Sequence, residues 1–198
     1  MIKTSAGNFF EDFKLGQKIV HATPRTVTVG DQALYTALYG SRFALQSSDE
    51  FARAAGYPQS PLDDLLVFHI VFGKTVADIS LNAVANLGYA ECVFLKAVYP
   101  GDTLSAQSEV IGVRENSNGK TGTVYVRSRG FNQRGEEFVS FVRWVMVRKR
   151  DEKSPAPVSH VPSLSGVAAV KVERRIQNWD NALSGSPFRI GDYAIGEK

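Results

Sequence analysis

The chain has 198 residues, 43% apolar and 22% charged, a balance that predicts a folded domain with an appendage and excludes intrinsic disorder. A formal net charge of +3 suits an anionic small molecule such as a coenzyme with phosphates, but it falls short of a nucleic-acid-binding surface. The single cysteine and the lack of a membrane-length apolar run predict a protein of the reducing cytoplasm, without a membrane segment.

Helix signals occupy the first part of the chain. A helical run from Asp31 to Tyr39 is followed by Gly40, a residue that commonly ends helices. A second helix is predicted to begin at Ser47, because Glu50 follows at the capping-box spacing. This helix ends at a glycine, and the proline that comes next bars its continuation.

The most helix-like segment begins at Pro61, which fits a first helical turn. Asp63 and Asp64 follow, and their negative charges match the positive end of a helix dipole. The sequence LLVFHIVFGKTVADIS is then apolar on nearly all sides. Such a pattern predicts a helix that is buried on most of its faces.

After this helix the apolar period changes from helical to alternating, which is typical of strands. Four strands are predicted, over residues 88–99, 103–116, 121–132 and 137–150. Turn signals separate them: Pro100-Gly101-Asp102, Asn118-Gly119 and Asn132-Gln133-Arg134-Gly135. Apolar residues occur on both faces of the last strand, so we expect it to be covered on both sides along part of its length.

The residues after position 150 form an appendage. The stretch DEKSPAPVSHVPSLSG is rich in proline and serine and predicts an extended linker, and residues 167–183 predict a helix. The final stretch, DYAIGEK, repeats the pattern of DFKLGQK at residues 12–18. We interpret residues 1–150 as one repeat, 151–187 as a linker with a bridging helix, and 188–198 as the start of a second, truncated repeat.

One long helix followed by an antiparallel meander predicts an α+β fold in which the sheet wraps around a central helix, the hot-dog architecture. The stretches SSDEFARAAGY, PLDDLLVFHIVFGKTV and YPGDTLSAQSEVIGVRENSNGKTG resemble the MaoC-like (hydratase 2 type) dehydratases. The resemblance is strongest to the amino-terminal half of the mesaconyl-CoA hydratases, or β-methylmalyl-CoA dehydratases, which are double hot-dog proteins. It implies reversible hydration of mesaconyl-CoA, with the CoA thioester as substrate and no further cofactor.

The catalytic motif departs from the family pattern. In the family, an Asp and a His in a motif G-D-x-N-P-x-H hold the water, and backbone N–H groups at the start of the long helix polarise the thioester carbonyl. Here the stretch reads GSRFALQ, so Ser41 stands at the Asp position and Gln46 at the His position. Neither side chain is a base near neutral pH. We therefore predict that this chain holds no catalytic residue and shapes the acyl-CoA pocket.

Four residues are candidates for substrate binding. Arg42 suits a carboxylate such as that of a mesaconyl group, or else a surface salt bridge. Asp63 and Asp64 suit the carboxylate pair of a thioesterase, or simply acids at a helix start. His69 suits a substrate contact, or a hydrogen-bonded histidine of the core. The histidines show no metal-ligand spacing, so no metal site is predicted.

Three functions stay open: the dyad-less repeat of a hydratase, a hot-dog thioesterase that uses Asp63 or Asp64, and a non-catalytic acyl-CoA-binding module. In the first, the natural partner of this chain is a C-terminal hot-dog repeat that carries the dyad. Without that repeat, an open strand edge and an uncovered apolar patch would favour association. We therefore predict that the chain forms a homodimer.

Overall fold

The computed structural model describes residues 6–40, 43–165, 187–188 and 190–197. Its antiparallel sheet contains β1 (Lys18–Val20), β2 (Arg25–Thr26), β3 (Ala83–Phe94), β4 (Thr103–Glu115), β5 (Thr121–Phe131) and β6 (Glu137–Arg148). The strand order is β1-β4-β5-β6-β3, and β2 pairs with another part of β4. The long strand β3 therefore lies at an edge of the sheet.

The helices are α1 (Val29–Tyr39), α2 (Ala44–Ser47), α3 (Asp49–Ala54) and α4 (Asp64–Thr75). A capping box starts α1: the Thr28 hydroxyl accepts a hydrogen bond from the Asp31 N–H, and the Asp31 carboxylate accepts one from the Thr28 N–H. The helix therefore begins two residues before the predicted start. The cap of α3 is Ser48, whose hydroxyl accepts from the Phe51 N–H at 3.2 Å, and not the predicted Ser47. The short helix α2 was not predicted.

The central helix α4 lies where the sequence places it, and it continues past Thr75 as a π-helical turn, Val76–Ser80. Its buried side packs on the inner face of the sheet through Val67, Ile70, Val71 and Thr75. The opposite side is open, because Leu65 and His69 are exposed. The prediction of burial on most faces is therefore wrong for this chain.

Strands β4, β5 and β6 match their predicted ranges closely, whereas β3 does not. It begins at Ala83, before the predicted residue 88, and ends at Phe94, before the predicted residue 99. The segment after Phe94 turns away from the sheet because the Val98 carbonyl accepts a hydrogen bond from the Leu62 N–H at 2.8 Å. That bond ties the segment to the loop before α4.

The last strand is buried on both faces along part of its length, as predicted. Phe138 and Val142 are buried on one face, and all five inner residues on the other are buried: Val139, Phe141, Arg143, Val145 and Val147. The Pro-rich linker follows and lies extended on the sheet, where His160 forms two backbone hydrogen bonds with Val113 at 2.8 and 2.9 Å. The helix predicted over residues 167–183 lies outside the described residues.

The similarity between the two ends of the chain extends to the backbone. A 3-10 helix at Phe10–Asp12 is followed by a turn at Gly16, and a 3-10 helix at Ile190–Asp192 is followed by a turn at Gly196. The two glycines have φ of +79° and +88°, in the left-handed region that favours glycine. The same short structure is thus built twice.

Both copies contain the same local hydrogen bond, but their aromatic residues have different surroundings. In the first, the side-chain oxygen of Gln17 accepts a hydrogen bond from the Lys14 N–H at 3.0 Å. In the second, Glu197 accepts one from the Ala194 N–H at 2.9 Å. Phe13 of the first copy packs in the core and is 3% exposed, whereas its counterpart Tyr193 is 59% exposed.

Candidate functional site

A groove of about 690 Å³ lies at the start of α4. Its walls come from α2, the loop before α4, the segment after β3 and the turn between β5 and β6. The polar side chains that line it include Gln46, Asp64, Lys96, Arg134 and Glu136. The groove therefore brings together residues from four separate parts of the chain.

Gln46 lies in this groove on the short helix α2. Its backbone carbonyl accepts a hydrogen bond at 3.1 Å from the side-chain amide of Gln32, which also donates to the Pro61 carbonyl at 3.4 Å. Gln32 on α1 thus ties α2 to the loop before α4, a role that the sequence did not reveal. Ser41 and Arg42 lie outside the described residues.

The two neighbouring acids occupy different places. The Asp63 carboxylate caps α4 by accepting a hydrogen bond from the Leu65 N–H at 2.8 Å. Asp64 lines the groove, where the surrounding protein removes water and raises the pKa of its carboxyl group, and the charge of Asp63 raises it further. Burial raises the pKa of the Cys92 thiol, and the charge of Asp64 adds to this effect. The structure thus leaves only Asp64 of this pair free of the capping role.

His69 does not belong to the groove. Its side chain is exposed on the open side of α4, and its ring centre lies 6.3 Å from that of Tyr35 on α1. Tyr35 in turn contacts Tyr39, with ring centres 4.5 Å apart. Burial raises the pKa of the Tyr35 hydroxyl, and the charge of Asp63 adds to this effect. The interpretation of His69 as a core histidine is therefore wrong.

A small ionic network forms the rim of the groove. The Glu136 carboxylate accepts hydrogen bonds from Asn132 at 2.8 Å, from Lys96 at 2.7 Å and from Arg134 at 2.8 Å. These bonds lower the pKa of Glu136 to about 2. The bond from Asn132 has the largest effect, and those from Lys96 and Arg134 follow. Asn132, Arg134 and Glu136 share the turn between β5 and β6, whereas Lys96 follows β3, so its approach to Glu136 could not be read from spacing.

A second polar cluster lies in the core. Nδ1 of His21 is 2.7 Å from the Asp78 carboxylate, Nε2 is 2.7 Å from the Ser108 hydroxyl, and Ser108 is 2.7 Å from Ser128. The order Asp, His, Ser matches that of a nucleophilic triad. However, His21 and both serines are buried, which keeps a substrate from the Ser108 hydroxyl. We interpret the cluster as structural.

The described residues contain neither a metal-binding cluster nor a membrane-spanning helix. No group of three or more His, Cys, Asp and Glu side chains there is placed to hold a metal ion. No helix within the same ranges has both the length and the apolar character needed to cross a membrane.

The family model described as mesaconyl-CoA hydratase matches residues 3–157. A mesaconyl-CoA hydratase from Cereibacter sphaeroides is 60% identical over 202 residues, which cover 100% of this chain and 59% of that protein. A solved MaoC-domain dehydratase from Chloroflexus aurantiacus has a TM-score of 0.90 at 58% identity, covering 100% of this chain and 57% of that one. A Mycobacterium tuberculosis protein with a double hot-dog fold has a TM-score of 0.76 at 27% identity, covering 89% and 56%.

These similarities confirm the hot-dog fold and the resemblance to MaoC-like dehydratases. The chain spans less than two thirds of the length of each of these three relatives.

Proposed function

The chain belongs to the mesaconyl-CoA hydratase family, and we propose that it is the amino-terminal, dyad-less hot-dog repeat of an acyl-CoA hydratase. The reaction proposed for the whole protein is reversible addition of water to mesaconyl-CoA, which gives β-methylmalyl-CoA. Gln46 carries this proposal, since it places an amide in the groove at the position of the family's histidine. An amide does not accept a proton near neutral pH, so water in this groove would not be activated by Gln46.

The start of α4 supports the same conclusion. A thioester carbonyl is polarised by free backbone N–H groups at a helix start, where the helix dipole is positive. Here the Asp63 carboxylate already accepts a hydrogen bond from the Leu65 N–H, and Asp64 adds a second acid beside it. Two acids at this end oppose the negative charge that would develop on the thioester oxygen. The groove is therefore better suited to shaping a pocket than to catalysis.

We further propose that a second hot-dog repeat begins near residue 188, after a linker with a bridging helix over 151–187. The repeated turn at Gly16 and Gly196 supports this division, as does the greater length of the relatives. Tyr193 is exposed where Phe13 is buried, as expected if a second sheet covers it. The coding sequence past Lys198 tests the proposal. A segment with a His and an acidic partner at the motif spacing supports it, and a stop codon there contradicts it.

One observation favours a second function, that of an acyl-CoA thioesterase. Asp64 lies in the groove, does not cap the helix, and has a raised pKa, as a general base often does. A thioesterase would use this carboxylate to activate water against the thioester carbonyl. Release of free CoA distinguishes this reaction from hydration, which leaves the thioester intact.

A further inference from the structure

A fully buried arginine lies between the sheet and the end of α4. Arg143 on β6 is 0% exposed, and its Nη2 donates hydrogen bonds to the Thr75 hydroxyl at 2.8 Å and the Ser80 hydroxyl at 3.3 Å. Its Cζ lies 4.5 Å from the centre of the Phe72 ring. Nε and Nη1 are buried and have no hydrogen-bond partner among the described residues.

This guanidinium carries a charge that its contacts do not balance. Burial lowers the pKa of Arg143 to about 10, so the group stays protonated at neutral pH. Its hydrogen bonds go to the hydroxyls of Thr75 and Ser80, which are neutral, and none of its nitrogens bonds a carboxylate among the described residues. Buried charges in proteins are normally paired or hydrogen-bonded. Nε and Nη1 together offer three N–H donors to an anion.

An aromatic layer separates Arg143 from the open edge of the sheet. Tyr89 on β3 is the register partner of Arg143, so both side chains project to the same face. The Tyr89 ring contacts Phe68 and Phe72, with centres 5.8 and 6.3 Å apart, yet Tyr89 is 45% exposed. For a ligand to reach the guanidinium between α4 and β3, the Tyr89 ring would have to move aside.

We propose that Arg143 binds the free carboxylate of a dicarboxylic acyl-CoA whose acyl group enters between α4 and β3. This inference rests on the proposed acyl-CoA function and adds the basis of selectivity. A mesaconyl group carries a second carboxylate, which a guanidinium binds through charge-assisted hydrogen bonds. A plain enoyl group presents only hydrocarbon at that place. It would leave the charge of Arg143 unpaired.

The thioester of this acyl group is held by a partner. At 1.5 Å per residue the helix is about 18 Å long, so the groove at its start and Arg143 near its end lie too far apart for one mesaconyl group. In a dimer with a two-fold axis perpendicular to α4, the two helices would run antiparallel, and the start of one would lie beside the end of the other. On this inference the partner repeat, or a second copy of this chain, presents the acyl group to Arg143.

Binding of two thioesters to the purified chain tests this inference. Mesaconyl-CoA and crotonyl-CoA share the enoyl thioester, but only mesaconyl-CoA carries the second carboxylate. We expect mesaconyl-CoA to bind about 10- to 100-fold more tightly, the range of a hydrogen bond to a charged group. Arg143→Met should remove this preference, so that the ratio of the two dissociation constants falls to about one. Arg143→Lys, which retains the charge, should keep part of it.

Arg129→Met is the matched control, because it removes a half-exposed arginine of β5 and should leave the preference intact. The comparison of the two thioesters on the unaltered chain does not depend on whether the Arg143 variants fold. Equal binding of both thioesters would overturn the inference and leave the acyl-CoA function standing. Failure of both to bind would overturn the two together.

Discussion

The Asp78 carboxylate lies 2.7 Å from Nδ1 of His21, and this contact fastens the π-helical turn after α4 to the segment that follows β1. When the ring is neutral and donates Nδ1–H to Asp78, its Nε2 accepts a hydrogen bond from the Ser108 hydroxyl. Ser108 can then accept from Ser128 on the neighbouring strand. The central helix and two strands are thus joined through one buried imidazole.

This contact predicts how stability depends on pH. Burial lowers the pKa of His21, an effect that the Asp78 carboxylate opposes only in part and that Arg143 reinforces. The unfolded chain therefore binds a proton more readily than the folded chain. The contribution is fully present above the unfolded pKa of about 6.5, and it falls as the pH drops from there toward the folded pKa. The slope is at most about 1.4 kcal/mol per pH unit.

Urea denaturation of the parent chain and of His21→Gln between pH 7.5 and 5 measures this contribution. The variant should be less stable at pH 7.5, and the difference between the two proteins should shrink as the pH falls. Two parallel profiles over this range would show that His21 does not titrate as described.

Capping by Asp63 predicts a second effect. Asp63→Ala removes the acceptor of the Leu65 N–H and should lower the free energy of unfolding by about 0.5–2 kcal/mol. Asp63→Ser keeps a capping oxygen and should recover most of the loss. If both variants are as stable as the parent in chemical denaturation, the cap does not contribute as the structure indicates.

Asp64 is predicted to be neither a thioesterase base nor a source of stability. Its raised pKa means that the folded state disfavours the ionised form, so Asp64→Asn should not lower stability at pH 7. Neither protein should release free CoA from an acyl-CoA, as followed with a thiol reagent. Release by the parent chain that Asp64→Asn abolishes would establish the thioesterase instead.

The open edge of the sheet predicts self-association. Among the strands that the structure describes, β3 pairs with β6 alone, and Leu87 on β3 is 43% exposed. Light scattering at micromolar concentration should report about twice the chain mass. Leu87→Lys should shift the chain toward the monomer because it places a charge on that edge. Val158→Lys, in the exposed linker, should not, and a monomeric parent would contradict the prediction.

The sequence predicted the meander well because its signals are local. Alternating residues define β4 to β6, and the turns at Gly101, Gly119 and Gly135 all have positive φ. The first part of β3, Ala83–Leu87, was not predicted for two reasons. It lacks the β-branched pattern that is typical of a strand, and it follows a helix without a turn signal. The apolar segment after Phe94 looked like strand, but its hydrogen bond to Leu62 could not be foreseen.

The site could be predicted only in part. The motif position identified Gln46, and the structure places it in the groove. The helix pattern could not separate the roles of Asp63 and Asp64, because a cap and a groove residue look alike in sequence. The exposure of His69 was not predicted, since an exposed apolar side of a helix has the same composition as a buried one. Arg143 did carry a signal, as a lone charge among the apolar inner residues of β6.

Hydration of mesaconyl-CoA by the purified 198-residue chain, followed as loss of the enoyl thioester absorbance, tests the central claim most directly. A general acid or base contributes a factor of about 10²–10⁴ in rate, and both dyad positions here lack a group of that kind. The account predicts no turnover above the rate without protein. Robust hydration by this chain, with no longer form of the protein present, would contradict it.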